Sequence, residues 1–194
     1  PVMLGVAIRT NGVQRLLKAL RHEVPGIAET AKRLGIAPEA EPTAYVLKTL
    51  QTTHGGKLSV VRVLSGSIGD GTTLQGPDGE AGRVSGVFKL TGNTPEKRGA
   101  ASTGETVAFS KLDAAKTGDT LGVGKAPPRA VAQIVPYTPV LAVAIAARER
   151  KDDVKLGQAL HKLLDEDPSL TLLHNPETHQ VVGSGQGEMH LRVA

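Results

Sequence analysis

The stretch VVGSGQGEMHLRVA, residues 181–194, brings three glycines at alternate positions, Gly183, Gly185 and Gly187, up to Glu188, Met189 and His190. How it is read decides the fold of the last third of the chain. Glycines before a helix N-terminus can cradle a phosphate. This spacing is neither the dinucleotide fingerprint nor the P-loop, and no Lys-Ser/Thr pair follows. The other reading is a strand-to-helix turn in which glycine lets the backbone pass close to a neighbour.

The residues upstream fit that turn. SLTLLHN (169–175) and HQVVGSG (179–185) make a hairpin around NPET (175–178). PVLAVAIAAR (139–148) reads as a strand and KDDVKLGQALHKLLDEDP (151–168) as a helix. In that helix Leu156, Leu160, Leu163 and Leu164 share one face, Asp152 sits where the N-terminus favours negative charge, and Pro168 ends it. GEMHLRVA starts another helix, with Met189 and Val193 four apart. Strand, helix, strand, strand, helix is most of a ferredoxin-like split βαβ unit, without its final strand.

From Thr43 to about Lys125 the texture is different. YVLKTL and KLSVVRVL are β-rich runs, with QTTHGG (51–56) as a hairpin loop between them. SGSIGDGTTL, GPDGE, GRVSGVFKL, ETVAFSKL and DTLGV continue as short strands with glycine turns, a pattern for a closed β-barrel or a sandwich. APPRA (126–130) marks a boundary. Before Thr43, PVMLGVAIRT (1–10) reads as a buried strand running into a turn. Asn11 caps a helix carrying Val13, Leu16, Leu17, Leu20 and Val24 on one face, and Pro25-Gly26 stops it. Residues 27–42 read as a linker with one short helix. A chain that starts at Pro1 on a buried strand reads as an internal piece of a longer protein.

Composition narrows the function. Of the 194 residues 39% are hydrophobic, 22% charged and only 2% aromatic, so cores are built from Val, Leu, Ile and Ala. Four aromatic side chains in all count against base-stacking platforms. The net charge of +4 permits phosphate contact. The absence of cysteine excludes disulfides, thiolate zinc sites and cysteine nucleophiles. The histidines (22, 54, 161, 174, 179 and 190) lack metal-protease spacing, and the serines lack a nucleophile elbow. Asp165, Glu166 and Asp167 place three carboxylates at a helix end, as a solvated terminus or a cation site. Arg150, Lys151 and Lys155 either meet RNA phosphates or form a solvated face.

Several separated blocks resemble one family, the translational GTPases, and within it elongation factor G. GQALHKLLDEDPSL resembles that factor's third-domain helix. GSGQGEMHLRV is similar to its G-x-G-E-[LM]-H-L segment, matched by Gly185, Gly187, Glu188, Met189, His190 and Leu191. GKLSVVRVLSGSIGDGTTL and KTGDTL resemble the second-domain barrel, and residues 1–24 the end of the GTPase domain. The resemblance implies a translation-factor β-barrel followed by a truncated ferredoxin-like split βαβ domain, preceded by the strand-helix tail of an α/β GTPase domain. Its divisions are 1–26, 27–42 (linker), 43–128 and 129–194. It implies a monomeric cytoplasmic protein, not a membrane one, that binds the ribosome (rRNA and ribosomal proteins) and uses GTP and Mg2+ to move tRNA and mRNA. No cofactor or metal, and no catalytic residue, is assigned to this stretch, since the P-loop, switch and Asn-Lys-x-Asp motifs do not occur in it. Ala7, in GVAIRT, matches the alanine whose backbone N–H meets guanine in the family, while Val6 replaces the serine beside it. TTHGG and residues 89–105 also depart from the family pattern and point toward a paralogue. Lys57, Arg62, Arg150, Lys151 and Lys155, basic residues in matched blocks, are the rRNA-facing set. The alternatives are a ribosome-binding paralogue in recycling or ribosome protection, or a non-catalytic RNA-binding scaffold.

Overall fold

A computed structural model describes residues 2–37, 39–52, 56–92, 94–132, 135–178 and 180–194. The tip of the expected QTTHGG loop, residues 53–55 with His54, lies outside the described residues, as does His179.

The N-terminal stretch departs from the sequence expectation. Residues 2–10 form no strand; they hold a 3-10 turn, Ala7–Arg9, and a single bridge between Val6 and Asn11. Val2, Leu4 and Ile8 are more than nine-tenths exposed. The expected strand is absent because no described segment offers it a ladder, and a lone strand leaves its backbone groups to water. Helix α1, Val13–Glu23, forms as its apolar spacing predicts. Its cap is Gly12 at φ 79°, not Asn11. The Asn11 carbonyl is taken by the Val6 N–H at 3.0 Å, which turns the chain into the left-handed conformation that glycine adopts freely. Leu16, Leu17, Leu20 and Val24 remain about half exposed. Helix α2, Ile27–Arg33, falls within the linker and lays Ile27 over Gly104.

Ten strands follow: β1 Thr43–Thr52, β2 Gly56–Ser65, β3 Ser67–Gly69, β4 Thr73–Gly76, β5 Gly79–Arg83, β6 Val87–Thr91, β7 Thr94–Arg98, β8 Ala100–Ser102, β9 Thr106–Ser110 and β10 Thr120–Gly122. Eight of them form one sheet in the order β5-β4-β10-β1-β2-β9-β6-β7, and β3 pairs with β8. The hydrogen-bonded ladder does not close into the expected barrel: β5 and β7 are its edges. β7 is suited to an edge, since it is largely exposed and Pro95 supplies no N–H. The sheet nevertheless curls around one apolar interior. Val46 from β1, Val61 and Val63 from β2, Ile68 from β3, Leu74 from β4, Val87 from β6, Phe109 from β9 and Leu121 from β10 meet in a single buried cluster. Residues from so many strands converge only if the sheet bends back on itself. A bulge in β1 between Val46 and Lys48 breaks the alternation, so that Leu47 and Lys48 are both exposed and Thr49 is the next buried residue.

The last third has the expected mixed order. Strand β11, Leu141–Ile145, leads through a short 3-10 turn, Arg150–Asp152, into helix α3, Asp153–Glu166. Strands β12, Thr171–Asn175, and β13, Gln180–Gly185, precede helix α4, Glu188–Val193. The sheet order is β11-β13-β12, with both pairings antiparallel. β11 and β12 are therefore parallel, joined by α3, with β13 inserted between them: a split βαβ. Leu156, Leu160, Leu163 and Leu164 of α3 face Val143, Ile145 and Leu172 of the sheet across a largely apolar slot.

Candidate functional site

The glycine-rich turn resolves as a close-packed corner. A Cβ on Gly183 would lie 2.6 Å from Ile145 Cδ1, and one on Gly185 would lie 2.9 Å from both His190 Nδ1 and Leu191 Cδ2. Gly187, the α4 cap, sits at φ 154° with open space around it. Gly185 is therefore required by its neighbours and Gly187 by backbone conformation, while a methyl at Gly183 would displace only the tip of Ile145. Helix α4 has only six residues, and its first turn faces its own His190 rather than an open cradle: the Gln186 N–H donates to His190 Nδ1 at 3.0 Å.

That bond fixes the imidazole. With Nδ1 accepting, the neutral ring carries its proton on Nε2 and donates to Asp167 Oδ2 at 2.8 Å. The other oxygen, Oδ1, accepts from the Ser169 N–H at 2.8 Å and the Ser169 hydroxyl at 2.6 Å. Partial burial pushes the Asp167 carboxyl up, but the two Ser169 bonds and then the His190 bond outweigh it, so it lies below its ordinary value. Ser, His and Asp meet here without making a nucleophile. The hydroxyl bonds the carboxylate directly, and both imidazole nitrogens are engaged. The arrangement ties the end of α3 to the start of α4.

The neighbouring carboxylates reach the other way, to the β1–β2 pair. Asp165 Oδ2 lies 3.5 Å from Lys57 Nζ and accepts from Gln51 Nε2 at 3.2 Å, and Glu166 Oε1 accepts the Gln51 backbone N–H. Beside these contacts runs a cleft between Leu47, Lys48 and Thr117 on one side and Leu163, Glu166, Asp167, Leu170 and His190 on the other. Sequence reading of Asp165–Asp167 left a solvated terminus or a cation site open, and missed this role. The signal available was the helix dipole: three carboxylates at a C-terminal end call for donors from elsewhere. Among the described residues, no group of three or more His, Asp or Glu could hold a metal ion.

The basic residues singled out by sequence are not brought together. Lys57 is not on a free face: its side chain is 7% exposed, and it donates to the Asp113 carbonyl at 3.0 Å as well as pairing with Asp165. Arg62 is half-buried and donates to Thr106 Oγ1 at 3.2 Å. Arg150, Lys151 and Lys155 are exposed around the start of α3, with Lys151 beside Glu149 at 2.5 Å and Lys155 beside Asp152 at 3.2 Å. Ala7 opens the exposed 3-10 turn, where its carbonyl accepts the Thr10 N–H at 3.0 Å. A single turn of this kind can offer a backbone contact but cannot by itself hold a nucleotide. Near the β1–β10 pair, burial raises the Asp119 carboxyl above its ordinary value, and burial and the Asp119 charge raise the Tyr45 phenol. No described helix is long and apolar enough to cross a membrane.

Comparison with known proteins agrees with this architecture. Residues 136–194 match the family model of elongation factor G, domain III. Over all of its length the chain is 39% identical to the elongation factor G-like protein of Synechocystis sp. and 35% identical to elongation factor G 2 of Streptomyces coelicolor. It spans 28% and 29% of the lengths of those relatives. A crystal structure from Thermus thermophilus superposes on 94% of the chain, covering 27% of that protein, with a TM-score of 0.75 at 29% identity. Residues 136–194 thus match the elongation factor G domain III family model, and the chain is similar to elongation factor G-like proteins from end to end.

Proposed function

We propose that the chain is part of an elongation factor G-like GTPase that binds the ribosome in the cytoplasm, as a monomer, and promotes GTP-dependent movement of tRNA and mRNA. The observation that carries this reading is the continuous alignment with elongation factor G-like proteins across the whole chain, together with the domain III match at 136–194. The divisions proposed are the end of a GTPase domain at 1–26, a linker at 27–42, the second domain at 43–128 and the third at 129–194. GTP and Mg2+ are assigned to a GTPase domain outside this stretch, with Ala7 as its one guanine-side contact here. The role proposed for 43–194 is to bind the ribosome and transmit a nucleotide-driven rearrangement.

Arg62, Arg150, Lys151 and Lys155 are the proposed rRNA-facing groups. Lys57 is left out of the set in this conformation because Asp165 and Asp113 already hold it. Replacing Arg150, Lys151 and Lys155 by glutamate should weaken ribosome binding and flatten its dependence on salt, by a slope of roughly 0.7–0.9 for each phosphate no longer neutralised. An unchanged salt slope removes them from the set. The decisive assay is GTP hydrolysis by the full-length protein with and without ribosomes: strong stimulation supports the reading. Ribosome binding without stimulation favours the paralogue acting in recycling or protection, a reading for which the likeness to the elongation factor G-like protein speaks.

A further inference from the structure

We propose that the acidic end of α3 is a releasable latch on the β1–β2 pair, and that it sets how the split βαβ unit is held against the β sheet. Three observations converge on it. First, a helix C-terminus already carries partial negative charge, and Asp165, Glu166 and Asp167 add three carboxylates to it, an arrangement that is unfavourable unless donors are supplied. Second, the donors for two of the three come from across the boundary. Asp165 takes Lys57 Nζ and the Gln51 side-chain amide, and Glu166 takes the Gln51 backbone N–H. Only Asp167 is satisfied from its own side, by Ser169 and His190. Third, the remainder of the boundary there is an open cleft of mixed apolar and polar lining rather than a packed seam, with Leu47, Lys48 and Thr117 opposite Leu163, Glu166, Leu170 and His190.

A boundary held by ionic and hydrogen bonds around a cleft is graded, whereas an apolar seam is not: it opens with modest loss and weakens with salt. The β1 bulge adds to this. It turns Leu47 and Lys48 toward α3 without extending the ladder across the gap. Undocking has a chemical consequence at Lys57. With Asp165 gone, its ammonium loses its carboxylate and becomes available to another anion. The inference stands on these intramolecular contacts and does not depend on ribosome binding.

The test measures the distance between the two units in the full chain. The 194-residue chain has no cysteine, so in it Lys89→Cys on β6 and Glu177→Cys in the β12–β13 turn, both exposed and outside the latch contacts, accept spin labels at unique positions. The parent should give a narrow distance distribution in low salt that broadens in high salt. Asp165→Asn with Glu166→Gln, and separately Lys57→Gln, should raise the population outside the parent range by roughly tenfold, within the usual coupling of contacting charged residues. The swap Lys57→Asp with Asp165→Lys should bring the narrow distribution back. Distributions as narrow as the parent's in both the carboxamide and the lysine variants overturn the proposal. So does broadening that the swap fails to reverse. The carboxamide variant changes only partly exposed side chains, so it reads the latch even where a Lys57 variant perturbs the sheet.

Discussion

Gly185→Ala and Gly157→Ala place the same methyl group in the same structural unit and should have opposite effects. At Gly185 the new Cβ would lie 2.9 Å from His190 Nδ1, 2.9 Å from Leu191 Cδ2 and 3.2 Å from Leu191 Cγ. Either Leu191 shifts off its packing or His190 swings away, breaking its bonds to Asp167 and Gln186. Overpacking of this kind costs about 1–3 kcal/mol, and two broken hydrogen bonds of ordinary net worth fall in the same range. At Gly157, inside α3, a Cβ meets nothing within 4 Å. There alanine should stabilise the helix by about 0.5–1 kcal/mol, through its better propensity and a less flexible unfolded chain. The readout is native-state exchange of the β11–β13 amides, which reports the opening of this unit. Gly185→Ala should speed it about five- to 150-fold, and Gly157→Ala should slow it about two- to fivefold. Equal effects, or an unperturbed Gly185→Ala, would refute the reading of the glycine turn as a steric corner. Protection of the parent by inorganic phosphate would refute it from the other side, by restoring the phosphate cradle.

Phe109, fully buried where β9 meets the common core, should cost about 3–5 kcal/mol when cut to alanine, seen as a lower urea midpoint. Exposed Leu173 cut to alanine should move that midpoint little. Two carboxyls should show opposite pH behaviour. The folded Asp167 value lies below the ordinary 3.8, so its contribution is present above that pH and is lost as pH falls through the folded value; Asp167→Asn should be destabilised at neutral pH and match the parent in acid. The folded Asp119 value lies above 3.8, so its stabilising protonated form is lost as pH rises through it; Asp119→Asn, which keeps an oxygen for the Lys116 N–H, should gain on the parent toward neutral pH. Melting curves across that range check both signs, and a shared sign contradicts the assigned environments.

The elements were legible where one face is apolar and the turn chemistry is local. The α3 leucines, the NPET turn and the alternation of β1 and β2 each specify their element from neighbouring residues alone. The fold class and the order β11, α3, β12, β13, α4 could be read for that reason. What could not be read depends on partners distant in sequence. Asn11 is a good cap by type, but its carbonyl is taken by Val6, so the helix starts after Gly12. PVMLGVAIRT has the composition of a buried strand, but residues 2–10 find no partner strand among the described residues. Lys57 looks like any surface lysine until β2 and α3 place it beside Asp165, more than a hundred residues away. Whether the ladder closes was not legible either, because the pairing of edges is set by register and twist rather than by any one strand's pattern.

The buried apolar core among the described residues lies wholly between Ala44 and Leu121. The apolar side chains of α1, β11 and α4 stay partly or largely exposed, Val143, Met189 and Val193 among them. Burial is what offsets the loss of chain entropy, so the two halves differ in how far they can stand alone. The β sheet encloses its own core and is the stable frame. The split βαβ unit holds together by one helix on a three-stranded sheet, the Asp167–His190–Ser169 corner and its attachment to β1 and β2. A frame that carries its own stability and a second unit held to it by polar contacts is the division that a coupling element needs, because the second unit can reorient without unfolding the first. Amide exchange should reveal that hierarchy directly: β2 and β9 slowest, β11–β13 faster, and the gap widening with salt if the contacts at Asp165 and Glu166 contribute to holding the second unit.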